Sequence, residues 1–519
     1  MFKLQMTRRS VLASMAAAGL SAGFYPKASL SQDGKVLRVR AYSDIQNLDP
    51  AFRKSSPEDD VMRNIFPGLA TMKPGDAWQW ELDSATKLEQ VDPTHIEFTL
   101  IDGLVWSDGH GPVTAEDVKF SFERMIDPAL DSPYKGDWAA LDHVEVQDEK
   151  SGVIVLKEPF PPLWNVGLVF GSGRIVSKKA VEAAGGKFDT KPPAQCGRYS
   201  IKEWLPKQRL VLVRNPEWPG QPGAFEEIHV IPIEDEKTAE LGLEAGDLDY
   251  TWVAVSSIPR YRETPPKGGK IIVKPSLAYV WLGMNQEKAP FDKLEVRRAV
   301  QHAIDVPTVL EAAYFGAAEP ATGLIAPGLL GHREKNIYGY DPDKARDLLK
   351  QAGLANGFDC TLDILNKAER VSAAQALQAN LADVGINVEI RQHDSGTFWS
   401  IGDQKSGDTW KTIQLLMQRF SMQPDPSFAT EWFTPEQIGV WNWERWNSPE
   451  FGELNAKAKV ETDNAKRNEM YIKMQDLMEE SGSYVFLTHE AVGVGYRDAV
   501  EPALLPNGTP IFYGFKPAG

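Results

Sequence analysis

Residues 279–305, YVWLGMNQEKAPFDKLEVRRAVQHAID, constrain the fold more than any other stretch. The run 279–284 is short, almost continuously apolar and rich in aromatic rings, the pattern of a buried strand. Residues 285–293 are polar and contain Pro290, which predicts a loop. Val296, Ala299, Val300, Ala303 and Ile304 then share one face of a helix. That helix should stop near Asp305, which can cap the next one, with Pro307 tolerated in its first turn. A long strand-rich sequence precedes this stretch and a mostly helical one follows it. Such a strand is expected to carry the chain from one lobe into another.

A chain of 519 residues exceeds one ordinary core, so two or three structural units are expected. Before the crossing, alternation predicts strands at 36–44, 95–106 (broken at Asp102-Gly103), 143–147, 152–157, 226–233 and 247–255. Residues 196–215 read as a hairpin turned at 206–208. Thr114-Ala-Glu-Asp117 resembles a capping box, and the helix it opens carries Ala115, Val118, Phe122, Met125 and Ile126 on one face. The prolines at 159, 161 and 162 predict an extended connector, and the Pro-, Gly- and Lys-rich run 261–270 a surface loop. After the crossing, Asp341 and Pro342 start a helix. Strand 358–365, helix 371–384 and strand 386–391 form a β–α–β unit, which implies a parallel pair. Helices from Ser448 and over 463–480 precede two strands, 484–489 and 491–496.

Seventy-two acidic against 56 basic residues give a net charge of −16, which argues against a nucleic-acid surface. The two cysteines, Cys196 and Cys360, fall in different halves and are expected to be inert buried thiols. Lys3, Arg8 and Arg9 precede a moderately apolar segment, 11–24, too short to span a bilayer, with small residues at 28–31 suited to cleavage. Thr7-Arg8-Arg9-Ser10-Val11-Leu12 resembles a twin-arginine signal, with Sec export the alternative. The expectation is an exported, soluble, periplasmic protein with a signal peptide over 1–31.

Catalytic signatures are missing from the sequence. No two of the eight histidines stand three or four residues apart, and there is no G-x-S-x-G elbow, P-loop or dinucleotide fingerprint. No catalytic residue, metal site or cofactor is expected, and the chain reads as a non-enzyme.

Several runs do carry information as an ordered set. They are 96–124, a strand followed by WSDG and TAEDVKFSFER; GRYSIKEWLPKQRLVLVRNP at 197–216; and LGMN, APFD and VRRAVQHAID around the crossing. YDPDKARDLLKQAG (340–353), GINVEIRQHDSGTFW (385–399), 424–426 and 447–451 follow. In this order, over nearly the whole mature chain, they resemble the periplasmic solute-binding proteins of ABC importers. The family is family 5, which includes dipeptide-, oligopeptide- and nickel-binding members. The resemblance implies an α/β, type II periplasmic binding protein fold (cluster C): two lobes joined by a hinge, with an extra subdomain in lobe I. Lobe I would take 32–275, including the subdomain at about 62–190, and regain the chain at 488–519; lobe II would take 276–487. Residues 279–285 would then run along the floor of the cleft, 299–304 would pack inside lobe II, and 484–496 would be the return crossing. The implied function is capture of a small-molecule ligand and its delivery to membrane permease subunits, by a receptor that works as a monomer.

One segment departs from the family pattern. Peptide binders resemble W-x-x-D-x-x-[DE]-P, whose tryptophan lines the pocket and whose aspartate takes the ligand ammonium group. Here Arg419 stands at the tryptophan position and Met422 at the aspartate position. An ammonium group buried without a carboxylate is costly, so capture of an ordinary peptide by its amino terminus is not expected here. Arg419 suits a carboxylate or other acidic group on the ligand instead, through a charge-assisted hydrogen bond; a surface arginine or an internal ion pair is its other reading. Trp399, Trp441 and Trp443 are further pocket candidates, with Trp281 and Asn285 nearer the crossing. Asp425 reads as a turn residue. The expected ligand is a modified peptide or an opine-like amino acid–sugar conjugate. Alternatives are an oligosaccharide, a chemoreceptor's sensing partner of the same fold and, from another class, an exported hydrolase.

Overall fold

Alternation in VLRVRA places Leu37 and Val39 in the core and makes Val36–Ala41 the central strand of the first sheet. The computed structural model describes residues 35–519, so the segment read as a signal peptide lies outside the described residues. In chain order the strands of the two main sheets are β1 (Val36–Ala41), β2 (Tyr199–Leu205), β3 (Arg209–Arg214), β4 (Glu227–Pro232), β5 (Tyr250–Val253) and β6 (Gly269–Pro275). They continue with β7 (Ala278–Met284), β8 (Phe358–Leu365), β9 (Ile386–His393), β10 (Leu415–Ser421), β11 (Tyr484–Thr488) and β12 (Ala491–Arg497). The first sheet has the order β2-β3-β4-β1-β5-β12-β6, and the second β9-β8-β10-β7-β11.

The chain leaves the first sheet at Pro275, enters the second at Ala278, and returns between Thr488 and Ala491. These two short links join two α/β lobes. β7 is buried along its whole length, as its apolar sequence requires. Its course corrects one expectation. Ala278 pairs with Ser421 and Met284 with Leu415, so β7 runs from the crossing into the second lobe rather than along the floor between lobes. The helix Leu294–Ala303 that follows buries Val296, Ala299, Val300 and Ala303 against that sheet's core.

The β–α–β unit forms as read: β8 and β9 are parallel, with the helix Ala368–Asp383 between them burying Ala373, Ala374, Leu377 and Leu381. The central strand β10 escapes a pattern reading, because Gln418 and Arg419 interrupt its apolar run. Gln418 is nevertheless fully buried beside Trp281. Residues 261–270 are also more ordered than a loop: the helix Ile258–Glu263 ends there and β6 begins at Gly269.

Between β1 and β2, a four-stranded antiparallel sheet (Ala85–Asp92, His95–Leu100, Ser151–Leu156, Leu141–Val146) packs against the helix Ala115–Ile126. The capping box at its start forms, and Asp117 also accepts from Trp106 Nε1 at 3.1 Å and Lys178 N at 2.8 Å. The prolines at 159–162 lead into a π-helical turn, Leu163–Gly167, rather than an extended connector. Both cysteines are free and buried, with burial pushing each thiol up to about 12.

Candidate functional site

Strands β1, β4 and β5 are mutually parallel, as are β8, β9 and β10. In open α/β sheets, ligands bind beyond the carboxyl ends of such strands. The crossings bring the two sets of ends together, because Ala278 at the start of β7 pairs with the last residue of β10, and Gly493 near the start of β12 pairs with the last residue of β5. Both carboxyl edges therefore face one crevice.

A cavity of about 360 Å³ occupies its hinge side. Trp252 to Ser256 line it from the first lobe, Tyr314, Glu369 and Ser372 from the second, and Glu490 from the return crossing. Glu490 lies in the left-handed region at φ 47° and gathers three groups of the second lobe. Its Oε1 accepts from the Arg370 guanidinium and from Tyr314 Oη at 3.3 Å, and its Oε2 accepts from Arg419 Nε at 3.0 Å. Burial pushes the Glu490 carboxyl up, but Arg370 and Arg419 outweigh burial and hold it below its ordinary value. Sequence reasoning missed Glu490, Arg370, Tyr314 and Trp252. The one available signal was an acid between two apolar strands, at the return crossing.

Arg419 thus takes part in an internal ion pair, yet it is not consumed by it. Its Nη1 donates to Ser421 Oγ at 3.0 Å, its Nη2 has no protein acceptor among the described residues, and its side chain is 44% exposed.

On the opposite face of the same strand, Phe420 centres a wall of rings. Trp399 stacks on Phe420 at 6.3 Å and 24°, while Trp441 and Trp432 meet it edge-on at 5.8 and 6.2 Å. Phe420, Trp399, Trp432 and Trp441 are half-buried. Offset and edge-to-face rings at these separations hold one another in place without a hydrogen bond.

The other expected site residues lie behind this wall. Trp443 is buried, stacks on Trp441 at 6.5 Å and donates to Val440 O at 2.8 Å. Trp281 is buried against Phe420 and donates to Glu444 Oε1 at 2.7 Å. Met422 is 4% exposed and packs with Tyr279 and Phe433. Asn285 is the correction. It sits past the far end of β7, about 20 Å from the crossing at about 3.3 Å per residue. There it donates to Ile413 O at 3.0 Å and accepts from Glu287 N, so its amide is occupied in holding a loop. Asp425 does form a turn, accepting from Ser427 N and Oγ, and it also makes a fully buried ion pair with Arg467 at 2.9 Å.

Across the crevice, Tyr42 follows the carboxyl end of β1 and stacks on Trp252 at 5.9 Å and 24°. The crevice therefore offers flat rings on the first lobe and the Glu490 cluster at the hinge.

The chain matches a family model described as bacterial extracellular solute-binding proteins, family 5 Middle, over residues 68–439. The periplasmic oligopeptide-binding protein OppA of Salmonella typhimurium is 26% identical over 526 residues, covering 92% of this chain and 93% of its own. The glutathione-binding protein GsiB of Shigella boydii is 26% identical over 482 residues, covering 89% and 90%. Among solved structures, the ABC transporter substrate-binding protein CtaP of Listeria monocytogenes has a TM-score of 0.81 at 19% identity, over 94% of this chain and all of that one.

Proposed function

Since the chain belongs to the bacterial extracellular solute-binding proteins of family 5, with the type II periplasmic binding protein fold, we propose that it captures a carboxylate-bearing organic solute between its lobes. The solute is a modified peptide or an opine-like amino acid–sugar conjugate, and the protein delivers it from the periplasm to the permease of an ABC importer. The family is one of binding receptors, so the hydrolase reading falls away. Lobe I takes 32–275 and 488–519, with its extra subdomain at about 62–190, and lobe II takes 276–487. The protein works as a monomer.

The observation that carries this reading is Arg419. Glu490 fixes it through Nε at the carboxyl end of β10, and Nη2 is left without a protein acceptor among the described residues on an exposed side chain. A guanidinium held this way accepts a carboxylate with little further ordering. No carboxylate stands at position 422 to take a peptide amino terminus in the family manner, because Met422 is in the core. Trp399 and Trp441 flank the ligand, while Trp443, Trp281 and Met422 back the wall they form. The names of the Salmonella and Shigella relatives, which speak of oligopeptides and glutathione, support a peptide-like solute.

A thermal-shift panel of oligopeptides, glutathione, opines and oligosaccharides tests the reading. Saturation at 100 times Kd should add about 2.7 kcal/mol of stability. Stabilisation by acid-bearing peptides or opines is expected; stabilisation by neutral oligosaccharides alone, or by nothing in the panel, would count against it.

A further inference from the structure

Beneath the Tyr42–Trp252 stack lies a second, much smaller cavity, of about 20 Å³. That is room for one water-sized group. Arg40, Tyr42, Asp60, Tyr250 and Trp252 line it, with two prolines closing its sides. It opens at the carboxyl ends of β1 and β5, and Trp252 also lines the larger cavity, so it belongs to the same crevice.

Nearly every polar group around it is already engaged. Arg40 spends all three guanidinium nitrogens on backbone carbonyls: Nε on Ile233 at 2.7 Å, Nη1 on Trp252 at 3.1 Å and Nη2 on Glu234 at 2.9 Å. Tyr250 Oη accepts from Trp252 Nε1 at 2.6 Å and donates to Gly508 O at 2.9 Å. Tyr42 Oη accepts from Ser56 N at 3.2 Å, which fixes the ring. Asp60 is the exception. Its side chain is only 11% exposed, Oδ1 has no hydrogen-bond partner among the described residues, and the nearest cation, Arg63 Nη1, stands 3.9 Å away. A buried carboxylate lacking donors is costly and calls for a partner.

We propose that this pocket is a subsite for a primary ammonium group of the ligand, with the Asp60 carboxylate as counter-charge and the Tyr42 and Trp252 rings as walls. An ammonium head is water-sized, brings up to three donors of which one suits the orphan Oδ1, and is attracted to ring faces. Arg40 is turned away from a ligand by its three backbone acceptors, and Glu236, Asp235 and Glu240 act on it electrostatically against the effect of its burial. Burial pushes the Asp60 carboxyl up to about 8, with Arg63 opposing and Asp59 adding to the shift, so near neutral pH it holds a proton that it gives up to water as the ammonium group binds. The subsite rests on the crevice being the ligand site, and it narrows the ligand. With Arg419 taking an acid from the second lobe and Asp60 an ammonium from the first, the solute carries both groups. The amino group then binds lobe I instead of the position that Met422 occupies.

Methylammonium chloride is the probe, added to the mature full-length chain and followed by saturation-transfer NMR, with tetramethylammonium as a size control. Expected are transfer to the methyl signal of methylammonium, saturable with concentration, little transfer to tetramethylammonium, and at least tenfold weaker binding to Asp60→Asn. Equal binding to wild type and Asp60→Asn, or no transfer in the wild type, would overturn the subsite. Should Asp60→Asn fail to fold by circular dichroism, Tyr42→Ala decides. Tyr42 is exposed, and losing its ring should weaken methylammonium binding measurably, while unchanged binding would overturn the proposal. Methylammonium carries no acid, so a negative result beside a positive thermal-shift panel removes this subsite alone.

Discussion

Replacing Glu444 with glutamine should make the protein more stable at neutral and higher pH, by an amount that grows with pH. Glu444 is fully buried; Oε1 accepts from Trp281 Nε1, and Oε2 has no partner among the described residues. Burial pushes its carboxyl from the ordinary 4.5 to about 7, against the opposing hydrogen bond from Trp281. Because the folded value lies above the unfolded one, the native state holds the extra proton between these values. Stability must then fall as pH rises through the window. Each unit is worth about 1.4 kcal/mol, so the wild type should lose about 2–3 kcal/mol between pH 5 and pH 8 on account of this group. Glu444→Gln keeps the acceptor for Trp281 and removes the titration. Urea unfolding of both proteins across that range is the assay, the quantity being their difference. A difference that widens by about 2–3 kcal/mol in favour of the variant is expected. Parallel profiles would refute the reasoning and show that the Glu444 carboxylate reaches water or a further hydrogen-bond donor.

Three further outcomes follow from the same packing. Arg467→Ala leaves Asp425 buried and unpaired and should cost about 3–5 kcal/mol, read as a lowered melting temperature by calorimetry. Gly283→Ala would set a Cβ 2.1 Å from Glu444 Oε1, and overpacking of this kind costs about 1–3 kcal/mol; a variant as stable as wild type would show that the Glu444 side chain can move aside. Trp441→Ala should weaken ligand binding and reduce the fluorescence change on binding while leaving the circular dichroism spectrum intact, since its ring is half-buried at the wall.

Much of the frame was legible because local rules decided it. The capping box at Thr114 and Asp117, the turn at 206–208 and the parallel pair β8–β9 each follow from residues a few positions apart. β10 was not legible, since Gln418 and Arg419 look like a break in an apolar run, and only the neighbouring strand and the return crossing explain their places. The candidate site was legible in part. Arg419 is exposed beside the return crossing and Trp399 and Trp441 are half-buried around Phe420, whereas Asn285 adjoins the crossing strand in sequence but lies at its far end in space. Asp60 and Glu490 were invisible for a common reason. An acid within a helix, or in a two-residue link, reads as solvated surface until distant segments such as β5 and the helix Ala368–Asp383 close over it.

The most direct measurement is calorimetric titration of Arg419→Ala with the solute that gives the largest thermal shift. A hydrogen bond to a charged group is worth about 1.5–3 kcal/mol, so the variant should bind roughly 10- to 100-fold more weakly than wild type. A dissociation constant unchanged by the substitution would contradict capture of a carboxylate by Arg419 and leave its pairing with Glu490 as its whole role.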